Sequence, residues 1–372
     1  MTIKTLTIES YRSIQKLELN LQQLNLITGH NGCGKSNVYK ALNLLAQAVN
    51  GQLASNIANE GGIPSIMWSG HRSRTNFNNR SSRLNLSVNT DEYCYHMSIG
   101  IPIPVPRSMF YLDPEVKEER VWIGSKPRIS NLILDRKANT TFTYDINNQK
   151  TTYPFCINLS ESVLAQLKEP QRYPELFNLS SAIRNWRFYH NFQTSANSPI
   201  RAPQASVRST VLNDDGSNLA AAIRTIYEIG DIELFNELIA DAFNGAHIDI
   251  VDPHQKAKFE IKFKQANLFR ALEASELSDG TLKYICLVTA LLTPRPPEVL
   301  ILNEPEMSLH PDLIPHLAKL IANASNDSQI IVTSHSRELQ VELTTRYHAN
   351  LIQLELGNNG TQIVENINLD DE

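Results

Sequence analysis

Apolar residues recur at the start of the chain as Ile3, Leu6 and Ile8 and again as Leu17, Leu19 and Leu21, with polar YRSIQ between the two sets. This near-alternation predicts two strands joined through that turn. A third apolar run, Leu24 to Thr28, predicts another strand and leads directly into GHNGCGKSN. Beyond it the period changes: Val38, Ala41, Leu42, Leu45 and Val49 fall on one helical face. Residues 84–99 read as a hairpin, with Leu84, Leu86 and Val88 alternating out and Tyr93, Tyr95 and Met97 alternating back.

Short strands separated by Pro, Gly and Asn are expected up to about Tyr144, and Ser160 is expected to cap a short helix ending before Pro170. Two helices, 219–228 and 232–243, break at Gly230-Asp231 and precede strands at 247–251 and 259–263. From Asp279 the pattern is helix, strand, helix, strand, helix, strand, which implies a parallel sheet covered by helices, an α/β class.

The chain has 372 residues, 41% hydrophobic and 20% charged, which suits a folded domain with a sizeable core. No apolar run approaches the ~18 residues of a membrane span, and the first residues lack a signal-peptide core. A cytoplasmic protein without a membrane contact is expected. Cys33, Cys94, Cys156 and Cys286 are scattered and read as free thiols. The net charge of -5 excludes a wholly basic nucleic-acid binder. Two stretches lack acids altogether: residues 61–90, with Arg72, Arg74, Arg80 and Arg83, and residues 176–213, with Arg184, Arg187, Arg201 and Arg208.

The strongest local chemistry is Gly29-His30-Asn31-Gly32-Cys33-Gly34-Lys35-Ser36, which fits G-x-x-x-x-G-K-[ST] with a strand before and a helix after. Glycines let backbone amides curl around phosphates, and the helix start adds partial positive charge. Lys35 would reach the β- and γ-phosphates of ATP, and Ser36 would ligate Mg2+. Asn37 continues the same turn. Cys33 reads as a small filler, although the helix field there favours a thiolate. A second helix start lies at Leu277-Ser278-Asp279-Gly280-Thr281, where Ser278 or Asp279 caps and Gly280 permits close approach.

The set GHNGCGKS, LSDGT, LILNEPE, SLHP and IVTSHS, in that order, resembles the ABC-class ATPase heads of SMC, RecF and OLD-like proteins, and more closely the compact bacterial AAA-type, RecF-like ATPases. The resemblance covers nearly the whole chain. It implies a single ABC-type head over residues 1–372: a mostly parallel core sheet, an antiparallel β subdomain and a helical lobe. The corresponding lobes are 1–150 with the phosphate loop, 151–265, and 266–372 with signature, acidic strand and switch histidine. It further implies a homodimer closed around two Mg-ATP, with Ser278, Asp279 and Gly280 meeting the γ-phosphate of the other subunit and SLHP at the dimer seam. His335 corresponds to the switch histidine, and Arg12 of Tyr11-Arg12-Ser13 to an arginine beside the nucleotide. Asp279 departs from the LSGGQ pattern. The Q-loop glutamine has no match, its region holding NEGGIPSIMWSG.

The acidic strand departs as well. It ends in Asn303-Glu304, where an Asp usually precedes the Glu. Glu304 is placed to act as general base. Asn303 would serve magnesium through a bound water, with one negative charge fewer. Slow but real ATP hydrolysis is therefore expected.

For partners, Arg184, Arg187 and Arg201 interleave with Trp186, Phe188, Tyr189 and Phe192. That pattern suits DNA or RNA backbone and base stacking, as does the stretch 72–83. It equally suits buried aromatics with arginines facing ATP or a second subunit. No nuclease domain or coiled-coil arm is expected in these residues, so an effector is expected on a separate chain. Three readings stand: a head acting on DNA in repair, the ATPase half of an anti-phage or toxin-type system, and a non-catalytic nucleotide switch that sequesters or activates a toxin or nuclease partner.

Overall fold

The structure, a computed structural model, describes residues 1–70, 83–103, 106–137, 139–144, 149–152, 157–252 and 256–364. Contacts divide the chain into two interleaved units rather than three sequential lobes. One comprises Met1–Gln22, Ile27–Trp186 and Ile352–Glu372; the other comprises Gln23–Leu26 and Arg187–Leu351. The difference arises because the end of the chain returns to pair with its beginning.

The first unit opens with the expected hairpin, β1 (Ile3–Tyr11) and β2 (Ile14–Asn20), then β3 (Leu24–Gly29), whose first residues count with the second unit. Helices α1 (Lys35–Val49), α2 (Leu53–Asn59) and α3 (Ile63–Ile66) follow. The antiparallel strands are β4 (Arg83–Thr90), β5 (Cys94–Gly100), β6 (Glu115–Trp122), β7 (Leu132–Lys137), β8 (Thr140–Tyr144) and β9 (Lys150–Thr152). Their register sets Leu6 opposite Val88 and Ile8 opposite Leu86, and then Leu86 opposite Met97, so the buried face across β1, β4 and β5 is apolar at these positions.

Two more helices complete this part, α4 (Val163–Gln166) and α5 (Pro174–Arg184). The cap of α4 is Ser162, which accepts from Leu164 N, and not the expected Ser160.

The second unit carries β10 (Arg187–Tyr189), a small antiparallel sheet of β11 (Gln204–Ala205), β12 (His247–Val251), β13 (Lys258–Lys264) and β14 (Leu272–Glu273), and helices α6 (Leu219–Ile229) and α7 (Ile232–Ala242). Then come α8 (Asp279–Leu291), β15 (Val299–Asn303), α9 (Ile314–Ala324), β16 (Gln329–Thr333) and α10 (Arg337–Val341). Strands β10, β15 and β16 are parallel neighbours, as the helix–strand alternation predicted. Helix α8 is buried along its length, packed with α6, α7 and α9 around Phe235, Ile285 and Leu317.

The chain ends in β17 (Asn350–Gly357) and β18 (Gly360–Ile363), and β18 pairs with β2 in the first unit.

Candidate functional site

In the first unit the phosphate loop joins β3 to α1. Gly29, Gly32 and Gly34 take φ of 145, 79 and 107°, where a side chain is strained. At Gly29 and Gly34 space excludes one too. A Cβ on Gly34 would lie 2.2 Å from Thr361 Oγ1, and one on Gly29 would lie 2.2 Å from Leu354 O. The closing hairpin thus packs on the loop, which nothing in the motif itself announces. Lys35 is buried, its Nζ donating to Gly29 O at 2.7 Å and His30 O at 3.2 Å, so the ammonium sits inside the curl.

Asn31, Gly32 and Ser36 are exposed around that curl. Cys33 is buried against Gly29, where a Cβ would meet its Sγ at 2.7 Å, so the thiol is a filler. These are the donors a nucleotide triphosphate requires: curled backbone amides, one ammonium and one hydroxyl at a helix start.

Beside the loop, Asn37 Nδ2 donates to Ser13 Oγ at 2.8 Å, and Ser13 Oγ lies 2.8 Å from Thr361 Oγ1. This ties the β1–β2 turn to the first turn of α1 and so brings Arg12 next to the phosphate loop. The guanidinium of Arg12, however, is ion-paired with Glu60, which Lys40 also approaches at 3.9 Å. A phosphate would have to compete with that carboxylate for it. Burial pushes the neighbouring Tyr11 phenol up to about 12. In the region without a Q-loop glutamine, the Trp68 ring lies on Gly360, where a Cβ would be 2.5 Å from it.

In the second unit the carboxyl ends of β10, β15 and β16 bring together His190, Asn303, Glu304 and His335, the edge at which open α/β sheets bind ligands. Glu304 has φ 52°, a left-handed conformation that a non-glycine residue holds only at a cost of ~1–3 kcal/mol. Its N–H donates to Thr333 O at 2.9 Å, which fixes the strained residue at the sheet edge. His335 Nδ1 lies 3.8 Å from Glu304 Oε1 and 3.7 Å from Glu306 Oε1.

Asn303 is buried, with both ends of its carboxamide engaged. Thr333 Oγ1 donates to its Oδ1 at 2.6 Å, and its Nδ2 lies 2.7 Å from His190 Nδ1. An Asp here would set a carboxylate against His190; the amide instead bridges His190 and Thr333. The second lone pair of Oδ1 is what would be left for a water on any cation held here.

Ser278 caps α8, accepting from Thr281 N at 3.1 Å. Gly280 lets Ser308 approach: a Cβ would lie 2.9 Å from Ser308 O, and Ser308 itself has φ 67°. Asp279, the departure from LSGGQ, is paired with Arg201 at 2.6 Å, so its charge is compensated within the chain.

That pairing leaves the nucleic-acid reading of Arg184, Arg187 and Arg201 without support. Arg201 also donates to the carbonyls of Thr194, Ala274, Ser275 and Leu277. Arg184 donates to Val49 O and Leu164 O, and Arg187 is likewise engaged. Trp186, Tyr189 and Phe192 are buried in cores and offer no stacking platform. Arginine is enriched there because its five donors satisfy loop carbonyls. Arg72, Arg74 and Arg80 lie outside the described residues.

Sequence reasoning missed His190, Thr361, Glu306 and Lys283. Lys283 is buried on α8, its Nζ donating to Met307 O at 2.5 Å. Burial pulls its ammonium below the usual lysine value, with Glu306 and Glu304 pulling the other way. A lone cation inside an apolar helical run was the signal for it. His190 and Thr361 had none, since only strand pairing places them.

The phosphate loop sits in an α/β fold similar to that of solved Smc heads. The chain belongs to the family described as "AAA domain, putative AbiEii toxin, Type IV TA system", which residues 24–342 match. Among solved structures it is similar to an Smc head bound to the C-winged helix domain of ScpA, at 16% identity, with 98% of each chain covered and a TM-score of 0.54. It is also similar to an Smc head with an extended coiled coil bound to the C-terminal domain of ScpA from Pyrococcus furiosus. That likeness has 14% identity, covers 97% of this chain and 95% of the other, and has a TM-score of 0.50. No curated protein sequence matches the chain. Among the described residues, no helix is long and apolar enough to cross a membrane.

Proposed function

We propose that this protein binds Mg-ATP through residues 29–36, hydrolyses it slowly with Glu304 as general base, and dimerises on ATP to gate a separate effector protein in bacterial anti-phage defence or DNA repair. The observation that carries the reading is the phosphate loop: three glycines at positive φ curl the backbone around the Lys35 ammonium. In this reading Lys35 and the loop amides hold phosphate oxygens, Glu304 polarises the attacking water, and His335 beside it senses the γ-phosphate. Ser278 and Gly280 serve the second subunit's nucleotide. Magnesium, held by Ser36 and aided through water by Asn303, would neutralise developing charge on the phosphates.

A second reading, the non-catalytic switch acting on a toxin or nuclease chain, draws on Asn303. An amide locked between Thr333 and His190 is a weaker partner for a cation than a free carboxylate. The family description, with its putative toxin and type IV TA system, supports a place in a toxin–antitoxin setting. The Smc heads solved with pieces of ScpA support partner binding by this fold.

A pull-down with Glu304→Gln, with and without Mg-ATP, tests the assembly, with light scattering for mass and mass spectrometry with nucleic-acid staining for the captured species. A doubled mass on ATP and a recurring co-purified protein are expected. A monomer that captures nothing under both conditions sinks the dimer and the effector together. Asn303→Asp is expected to lower the magnesium concentration for half-maximal turnover by roughly 10-fold, the scale of a single outer-shell partner. An unchanged magnesium titration would remove Asn303 from the metal's surroundings.

A further inference from the structure

We infer that Glu306 is the positioning residue for the turn that carries His335. The inference rests on the proposed reading of Glu304 and His335 as nucleotide-facing groups. Glu306 lies two residues beyond Glu304 and is buried at 7% exposure. One of its oxygens, Oε1, takes three donors from the turn after β16: Ser334 Oγ at 2.6 Å, His335 N at 3.1 Å and Ser336 N at 3.3 Å. Ser336 N also donates to Ser334 Oγ at 3.0 Å, which closes the turn on itself. Its other oxygen, Oε2, is buried with no donor against it.

Glu306 thus gives one oxygen to three consecutive residues of a single turn. That geometry fixes where the backbone of His335 sits, and with it the ring 3.8 Å from Glu304.

The carboxylate is itself held in place. Leu309 N donates to Glu306 O at 3.0 Å and Met307 N to Glu304 O at 3.1 Å, which makes residues 304–309 a compact loop. The buried Lys283 ammonium grips that loop at Met307 O and supplies positive charge towards Glu306. The signature helix, the loop after the acidic strand and the switch turn are therefore joined within one unit, and Glu306 is the link to the switch turn. Charge-assisted bonds from backbone N–H groups are among the stronger ones a protein makes.

The test compares Glu306→Ala with Glu306→Gln by amide hydrogen exchange and by ATP turnover. In Glu306→Ala, exchange across residues 334–336 is expected to rise at least ~10-fold while β15 stays protected. The kcat is expected to fall ~10–100-fold, with KM for ATP within ~2-fold. Gln keeps an acceptor oxygen for the same three donors. Glu306→Gln should therefore hold exchange within ~2-fold and kcat within ~3-fold of the parent. A purely structural role would lower the folded fraction and leave the exchange of residues 334–336 in step with that of the whole unit.

Unchanged exchange in Glu306→Ala overturns the inference, as does a Glu306→Gln variant as impaired as Glu306→Ala. If the parent protein shows no turnover, the ATPase reading fails while the exchange arm still decides the inference. Should Glu306→Ala not fold, Ser334→Ala removes the shortest of the three bonds. It must then raise exchange at residues 334–336 by at least ~3-fold for the inference to stand.

Discussion

Glu304→Gln is expected to reduce ATP turnover by ~10²–10⁴-fold, the usual contribution of a positioned general base, while leaving ATP affinity within ~3-fold. Gln matches Glu in shape and keeps the backbone N–H on Thr333 O, so the variant isolates the loss of a proton acceptor. The half-buried carboxylate stands beside His335 in a backbone conformation that no local requirement of β15 explains. Strained residues of this kind cluster at functional sites, and Glu304→Gln tests whether Glu304 is one. Glu304→Gly sharpens the point. Glycine enters the left-handed region freely, so this variant should be more stable than the parent by about 1 kcal/mol and equally inactive. Phosphate release under saturating Mg-ATP and thermal unfolding measure both. A Glu304→Gln protein that turns over like the parent would remove Glu304 from the chemistry. Parent protein without turnover would favour the nucleotide switch.

Local pattern carried much of the fold to the reader of the sequence. The strand, loop and helix around Lys35, and the three helix–strand alternations from Asp279 onward, lie close in sequence to what defines them. Their buried faces match the expected periodicity. What stayed hidden depends on partners far along the chain. Thr361 meets Gly34 and Ser13 only because β18 pairs with β2, and His190 meets Asn303 only through the register of the three-residue strand β10. Choosing between Ser160 and Ser162 as the cap of α4 likewise needed a distant residue, since Glu119 on β6 binds Ser162. The arginine–aromatic stretch misled for a related reason. Sequence exposes the cations but not the carbonyls that consume them.

Glu119 also carries the largest expected effect on stability. It and Arg136 are both 0% exposed, with Arg136 Nη1 3.5 Å from Glu119 Oε2. Tyr95 Oη donates to Glu119 Oε1 at 2.9 Å, Ser162 Oγ to the same oxygen at 2.5 Å, and Val163 N to Oε2 at 2.8 Å. Burial, helped by the Glu119 charge, keeps the Tyr95 phenol well above its usual value, so it remains a donor. Glu119→Ala removes the acceptor of three donors and leaves the buried Arg136 without its carboxylate partner. Breaking such a pair from one side costs ~3–5 kcal/mol. Arg136→Met should cost less, because the remaining carboxylate keeps three hydrogen bonds and the methionine fills the space. Urea unfolding midpoints read the order directly, and Glu119→Ala within ~1 kcal/mol of the parent, or milder than Arg136→Met, would refute the anchoring role. ATP affinity of the folded fraction should stay within ~2-fold in both variants, because neither residue touches the phosphate loop. The loss therefore belongs to the β subdomain that fixes α4, and it separates a variant that fails to fold from one, such as Glu304→Gln, that folds and fails to turn over.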